Sequence, residues 1–142
     1  MLSRNGNDLS KRFSRLMSGL EGLARLKGVI DGELVAVDDQ GHCDFAGLQR
    51  GNKSRLCLRA FDLLALNGLD YMPLPLVVRR LRLRRLVERC GPPLLYSEAF
   101  YDGTTLMQAV CERGLEGIVS KLRRDPYISG DKSGWVKLKT AK

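Results

Sequence analysis

The chain has 142 residues, 44% hydrophobic and 28% charged, values that belong to a globular protein and exclude a disordered tail. No run approaches the roughly 20 uninterrupted apolar residues of a membrane span, and the opening "MLSRNGNDLSKR" lacks the apolar core of a secretory signal, so a soluble cytoplasmic protein is expected. Twenty-four Lys and Arg against sixteen Asp and Glu leave a formal charge of +8, which favours a polyanionic partner such as nucleic acid or a nucleotide.

In chain order, residues 8–26 place Phe13, Leu16, Leu20 and Leu23 at helical spacing behind Asp8 or Ser10 as candidate caps. That predicts an amphipathic helix weakened near Gly19 and Gly22. "GVIDGELVAVD" (28–38) predicts an inner strand bent at Gly32, with Asp31, Glu33, Val35 and Val37 on one face, and "DDQG" as its turn. "CDFAGLQRG" predicts a short helix, and "RLCLRAFDLLALNG" (55–68) a long strand closed by an Asn-Gly turn.

After the proline-marked connector "YMPLPL", residues 77–91 predict a helix ended by Gly91 and Pro92. Leu76, Leu83, Val87 and Cys90 form its apolar stripe. Arg79, Arg82, Arg85 and Arg89 fall elsewhere, on a solvated outer face or a DNA-contacting one, the solvated face being the plainer reading. Residues 94–103 predict a strand, and 104–114 a helix capped by Thr104 or Thr105 and stopped by Gly114. Two short runs that read as buried strands, "LEGIVSKL" (115–122) and "GWVKLK" (134–139), complete the chain. The sum is an α+β fold of largely antiparallel sheets with flanking helices, in one domain.

Four scattered cysteines without a C-x-x-C pair, and the single His42 in a turn, argue against zinc and for reduced, mostly buried thiols. The chemistry is better sought in the last two strands. Alternation puts Trp135, Lys137 and Lys139 on one face, where two like charges call for an anion such as phosphate. An exposed edge strand protected by lysines would look the same. Glu116 falls opposite Lys121 in a regular strand, so a bulge or a strand end at Lys121 is needed to bring both into one site. Carboxylates beside clustered lysines fit a magnesium–nucleotide site, and equally a structural salt-bridge network.

In order, "LSRNG" (2–6), "DGELVAVD", "AFDLLALNGLDY" (60–71), "LEGIVSK" and "GWVKLK" resemble the adenylation (nucleotidyltransferase) domain of ATP-dependent DNA ligases, closest to the bacterial end-joining type. The resemblance implies ATP and Mg2+ as cofactors, nicked or broken duplex DNA as partner, and a role in DNA repair and recombination near the nucleoid. It implies that Arg4 approaches the ribose and the DNA phosphate and that Glu33 contacts ribose or the metal region. Phe61 would stack on adenine, Glu116 would serve the metal, Lys121 would bind the nucleotide, and Lys137 and Lys139 would stabilise the α-phosphate. In that family a lysine of a Lys-x-Asp-Gly motif attacks ATP to form lysyl-AMP, and AMP then passes to a DNA 5′-phosphate.

No lysine of this sequence stands in a Lys-x-Asp-Gly context. The resemblance therefore implies a partial domain, without the N-terminal nucleophile segment and the C-terminal OB-fold domain, unable to adenylate itself. An exposed sheet edge in such a fragment implies self-association or a partner chain supplying the missing strands. Two other readings are a non-enzymatic basic module that binds nucleotide or nucleic acid, and an RNA ligase or capping-type nucleotidyltransferase. "FDLLALNGLDY" favours the DNA ligase over the last.

Overall fold

A computed structural model describes residues 1–44, 47–50, 55–130 and 134–141. The chain opens with a turn closed by the Leu2–Asp8 bridge and continues into two short helices, α1 (Ser14–Gly19) and α2 (Glu21–Ala24). The single helix expected over 8–26 is thus shorter and broken at Leu20, next to the glycines that weaken it.

The main sheet is built on β1 (Gly28–Val37) and β2 (Arg55–Leu66), paired antiparallel from Gly28–Leu66 to Val37–Arg55. Register shifts between Val29 and Ile30 and between Asp31 and Gly32 bend β1 where the glycine allows it. Four residues, Gly47–Arg50, form α3 beside this pair. Asn67 and Gly68, with φ of 51° and 82°, turn β2 back into the two-residue β3 (Leu69–Asp70), as the Asn-Gly signal requires. On the same edge as β3, opposite β1, β2 takes a parallel partner, β4 (Leu94–Tyr96), which follows α4 (Leu76–Cys90). A second sheet pairs β5 (Gly117–Ser120) with β6 (Val136–Lys139) antiparallel, and α5 (Gly103–Glu112) precedes it. The mixed helices and mainly antiparallel strands are the α+β arrangement expected.

Phe13, Leu16 and Leu20 from the first helices pack with Leu56, Ala60 and Leu63 of β2, Leu83, Leu86 and Val87 of α4, and Leu94. One sheet face and one helical stripe thereby share a core, the main source of stability in such a layered fold.

Several local expectations need correction. Strand β4 stops at Tyr96, Ser97 N–H still donates to the Ala60 carbonyl of β2, and the rest of 94–103 is not a strand. Helix α5 is capped by Asp102, whose carboxylate accepts from the backbone N–H groups of Thr104 and Thr105; the threonines are the residues being capped. Only Cys57 is buried; Cys43, Cys90 and Cys111 are exposed, so Cys90 leaves the apolar stripe of α4. All residues of β6 are exposed, so the last strand is a surface strand and not a buried one. Among the strands described, β1 pairs only with β2, which makes it an edge strand and leaves Glu33 exposed. Arg79 is 1% exposed and belongs to the interior, on neither a solvated face nor a DNA-contacting one.

Candidate nucleotide site

The link between the two sheets starts from that buried arginine. Arg79 lies against Asp62, which is wholly buried on β2, through Nε–Oδ1 and Nη2–Oδ2 hydrogen bonds of 2.8 and 3.0 Å. Such a two-pronged pair satisfies both charges where water cannot. Arg79 Nη1 also donates to the carbonyl of Asp125, 2.9 Å away, and to that of Leu74. The backbone N–H groups of Leu76 and Val77 donate to the carbonyls of Asp125 and Arg123. The segment after β5 is therefore tied to the first turn of α4, and with it to β2.

This anchoring brings Tyr127 to the main sheet, where its hydroxyl donates to Asp31 Oδ2 at 2.8 Å. Burial, then the bond to a carboxylate, pushes the phenol's pKa above its ordinary value. The Tyr127 ring meets Trp135 edge-on at 5.7 Å, and Trp135 meets Phe61 of β2 edge-on at 5.8 Å. Over this corner lies Lys121, its Nζ 3.6 Å from the centroid of Trp135 and 4.3 Å from that of Phe61. Burial lowers its pKa to about 8; the Asp62 and Asp31 carboxylates oppose the shift, while Arg80 and Arg79 add to it.

A second cluster lies on the exposed surface of β5 and β6. Lys137 Nζ donates to Glu116 Oε1 at 2.8 Å, and Lys139 Nζ stands 3.9 Å from the same oxygen. In this structure the two lysines face the Glu116 carboxylate. Thr140 reinforces the corner by donating its hydroxyl to the Leu115 carbonyl at 2.9 Å.

Strand β5 ends at Ser120, so Lys121 is released from the alternation that would hold it opposite Glu116. The two residues nevertheless fall in different clusters: Lys121 joins Phe61, and Glu116 joins Lys137 and Lys139. Glu33 makes no hydrogen bond or ion pair among the described residues, and Arg4 lies exposed in the first turn. The sequence reading gave Asp62 and Tyr127 no role, and it named Asp31 and Arg79 without connecting them to the site. Asp62 follows Phe61 in an apolar strand, and only an unpartnered acid in such a run hinted that a cation comes from elsewhere.

A family model described as an ATP dependent DNA ligase domain matches residues 1–139. The chain belongs to this family. Over 98% of its length it is 36% identical to the multifunctional non-homologous end joining protein LigD of Pseudomonas aeruginosa. Over 95% it is 33% identical to the multifunctional non-homologous end joining DNA repair protein LigD of Mycobacterium tuberculosis. It spans 17% and 18% of those relatives' lengths. A solved structure titled mycobacterial DNA ligase D complexed with ATP and MES superposes with a TM-score of 0.81 at 33% identity, over 97% of this chain and 46% of that one. The ligase domain of M. tuberculosis LigD gives the same TM-score and identity.

Phe61 offers a flat apolar ring for a base, but the Lys121 ammonium lies over it, so stacking requires that lysine to turn aside. Lys137 and Lys139 are exposed cations able to meet a phosphate. Among the described residues no three His, Cys, Asp or Glu side chains gather to hold a metal. Mg2+ is commonly held by one or two carboxylates together with substrate phosphates and water, a share that Glu116 fits. Among the described residues no helix is long and apolar enough to cross a membrane.

Proposed function

We propose that the chain is the nucleotide-handling part of an ATP-dependent DNA ligase that seals nicked or broken duplex DNA in repair, in the bacterial cytoplasm beside the nucleoid. The observation that carries this reading is that one short strand pair bears a lysine–carboxylate surface (Lys137, Lys139, Glu116) and, at its Ser120–Val136 end, brings Lys121 and Trp135 onto Phe61 of β2, in a chain of ligase family. Phe61 takes the adenine face, and Lys121 turns from the ring toward the nucleotide. Lys137 and Lys139 exchange Glu116 for the α-phosphate oxygens, whose charge grows as phosphoryl transfer proceeds. Glu116, once released from Lys137, would hold the metal, with Glu33 as a second carboxylate, and Arg4 would face ribose and DNA phosphate. Bound Mg2+ neutralises phosphate charge. The attacking lysine lies outside these residues, and the edge of β1 that no other described strand pairs gives a further segment, a partner chain or a second copy a place to dock.

The test is ATP affinity in the presence of Mg2+ for Lys137→Ala and Glu116→Ala. Both are expected to weaken binding, and unchanged affinity in both removes the pocket. Labelled ATP followed by a denaturing gel is expected to show no covalent band on this chain alone. A stable band would show that one of its own lysines is the nucleophile.

A further inference from the structure

Away from these residues, between β4 and α5, the chain exposes two adjacent aromatic side chains, Phe100 at 63% and Tyr101 at 80% of their surface. Large rings standing in water together are unusual unless something covers them. A groove of about 370 Å3 opens beneath them along α5, lined by Phe100, Tyr101, Thr105, Leu106 and Ala109 among others. The Arg123 guanidinium stands 5.2 Å from the Tyr101 ring centroid and takes one face of it. The residue before Arg123, Leu122, is also exposed, at 66%. The neighbouring side is basic: Arg80 and Arg84 stack on Tyr96, and Arg80 donates to the carbonyl of Ser97. Two carboxylates, Asp102 in the groove lining and Glu98, stand among these cations and keep their charge. Asp102 caps α5, and Glu98 acts electrostatically on Arg84, which is hydrogen-bonded to Glu88.

Exposed aromatic faces flanked by arginines are the elements of a stacking platform for unpaired bases, with the cations taking the backbone phosphates. We propose that Phe100 and Tyr101 hold unpaired nucleotides of single-stranded or frayed nucleic acid, a base lying on the face of Tyr101 opposite Arg123. A protein partner would be drawn by the same apolar area. The guanidinium on Tyr101, the arginines beside it and the chain's +8 charge favour a polyanion.

The test uses the full chain and fluorescence anisotropy with a labelled single-stranded oligonucleotide and a blunt duplex of equal length, at two salt concentrations. Tyr101→Ala is expected to weaken single-strand binding at least about five-fold, the equivalent of ~1 kcal/mol for one stacked base. Tyr101→Phe should keep it, since the ring alone stacks. Arg123→Ala should reduce the salt dependence of binding. Blunt-duplex binding and ATP affinity should stay within two-fold of the parent's in all three, so failure here leaves the nucleotide site standing, and the reverse. Equal losses for single strand and duplex, or none in a folded Phe100→Ala/Tyr101→Ala chain, would overturn the platform. So would a change of oligomeric state on substitution, which would mark a protein interface.

Discussion

Lys121 and Trp135 come from the two sides of the β5–β6 pair, and the ammonium of one lies 3.6 Å from the ring centre of the other. Burial in this setting brings the lysine down to about 8, whereas in the unfolded chain it returns to the ordinary 10.5. Between those values the unfolded state binds a proton that the folded state has released, so this group adds stability as pH rises from about 8. The expected result is a rise in thermal midpoint between pH 7.5 and 9.5 that Lys121→Met lacks. Tyr127 does not interfere there, because a raised phenol pKa acts only above the ordinary tyrosine range. Matched pH profiles of the two proteins would show the idea wrong.

The Arg79–Asp62 pair makes the opposite kind of prediction. Both side chains are almost fully enclosed, and removing one partner strands a charge. Asp62→Ala should destabilise the fold by about 3–5 kcal/mol in denaturant unfolding. Asp62→Leu combined with Arg79→Met should recover much of that loss, because no lone charge remains. The double variant should still loosen Tyr127 and Trp135, since Arg79 also holds the Asp125 carbonyl. Tryptophan fluorescence reports that loosening directly.

This pair also marks where the sequence stops being legible. The long β2, its Asn-Gly turn and α4 declare themselves through alternation, turn chemistry and helical spacing, all local signals. The sequence reading groups Arg79 with the exposed arginines of the helix, although its spacing from Leu76, Leu83 and Leu86 puts it on the buried stripe; what no local signal gives is its carboxylate, 17 residues away on β2. The lysine surface was half legible. Alternation put Lys137 and Lys139 together, yet it left open which anion they face, because Glu116 reaches them only through β5–β6 pairing. Lys121 was ambiguous for the same reason, since its direction depends on β5 ending one residue earlier.

The Lys137–Glu116 contact separates stability from binding. At 52% and 65% side-chain exposure it is a surface ion pair, worth no more than about 1 kcal/mol to the fold. Lys137→Ala should therefore unfold at nearly the parent's denaturant midpoint. Its affinity for ATP with Mg2+ should nonetheless fall roughly ten- to a hundred-fold, the value of one charge-assisted hydrogen bond to phosphate, ~1.5–3 kcal/mol. Equal losses in both measurements would make the lysine a structural residue only.

Gly117 offers a way to disturb the lysine surface without touching a charge. Its φ is +155°, and a Cβ built there would run into the carbonyl oxygen of Leu138 and lie 2.9 Å from Cα of Lys139. Both obstacles are backbone, so the side chain cannot be accommodated by a rotamer change; β6 must move away from β5. That movement carries Lys139, the register partner of Gly117, and with it Lys137, away from Glu116. Gly117→Ala is therefore expected to lower ATP affinity at least as much as Lys137→Ala does, although every charged residue is retained. Hydrogen exchange should show faster loss of protection in β5 and β6, while β1 and β2, which share none of that pairing, stay protected. Full ATP affinity in Gly117→Ala would mean that the spacing of these two strands does not set the phosphate site.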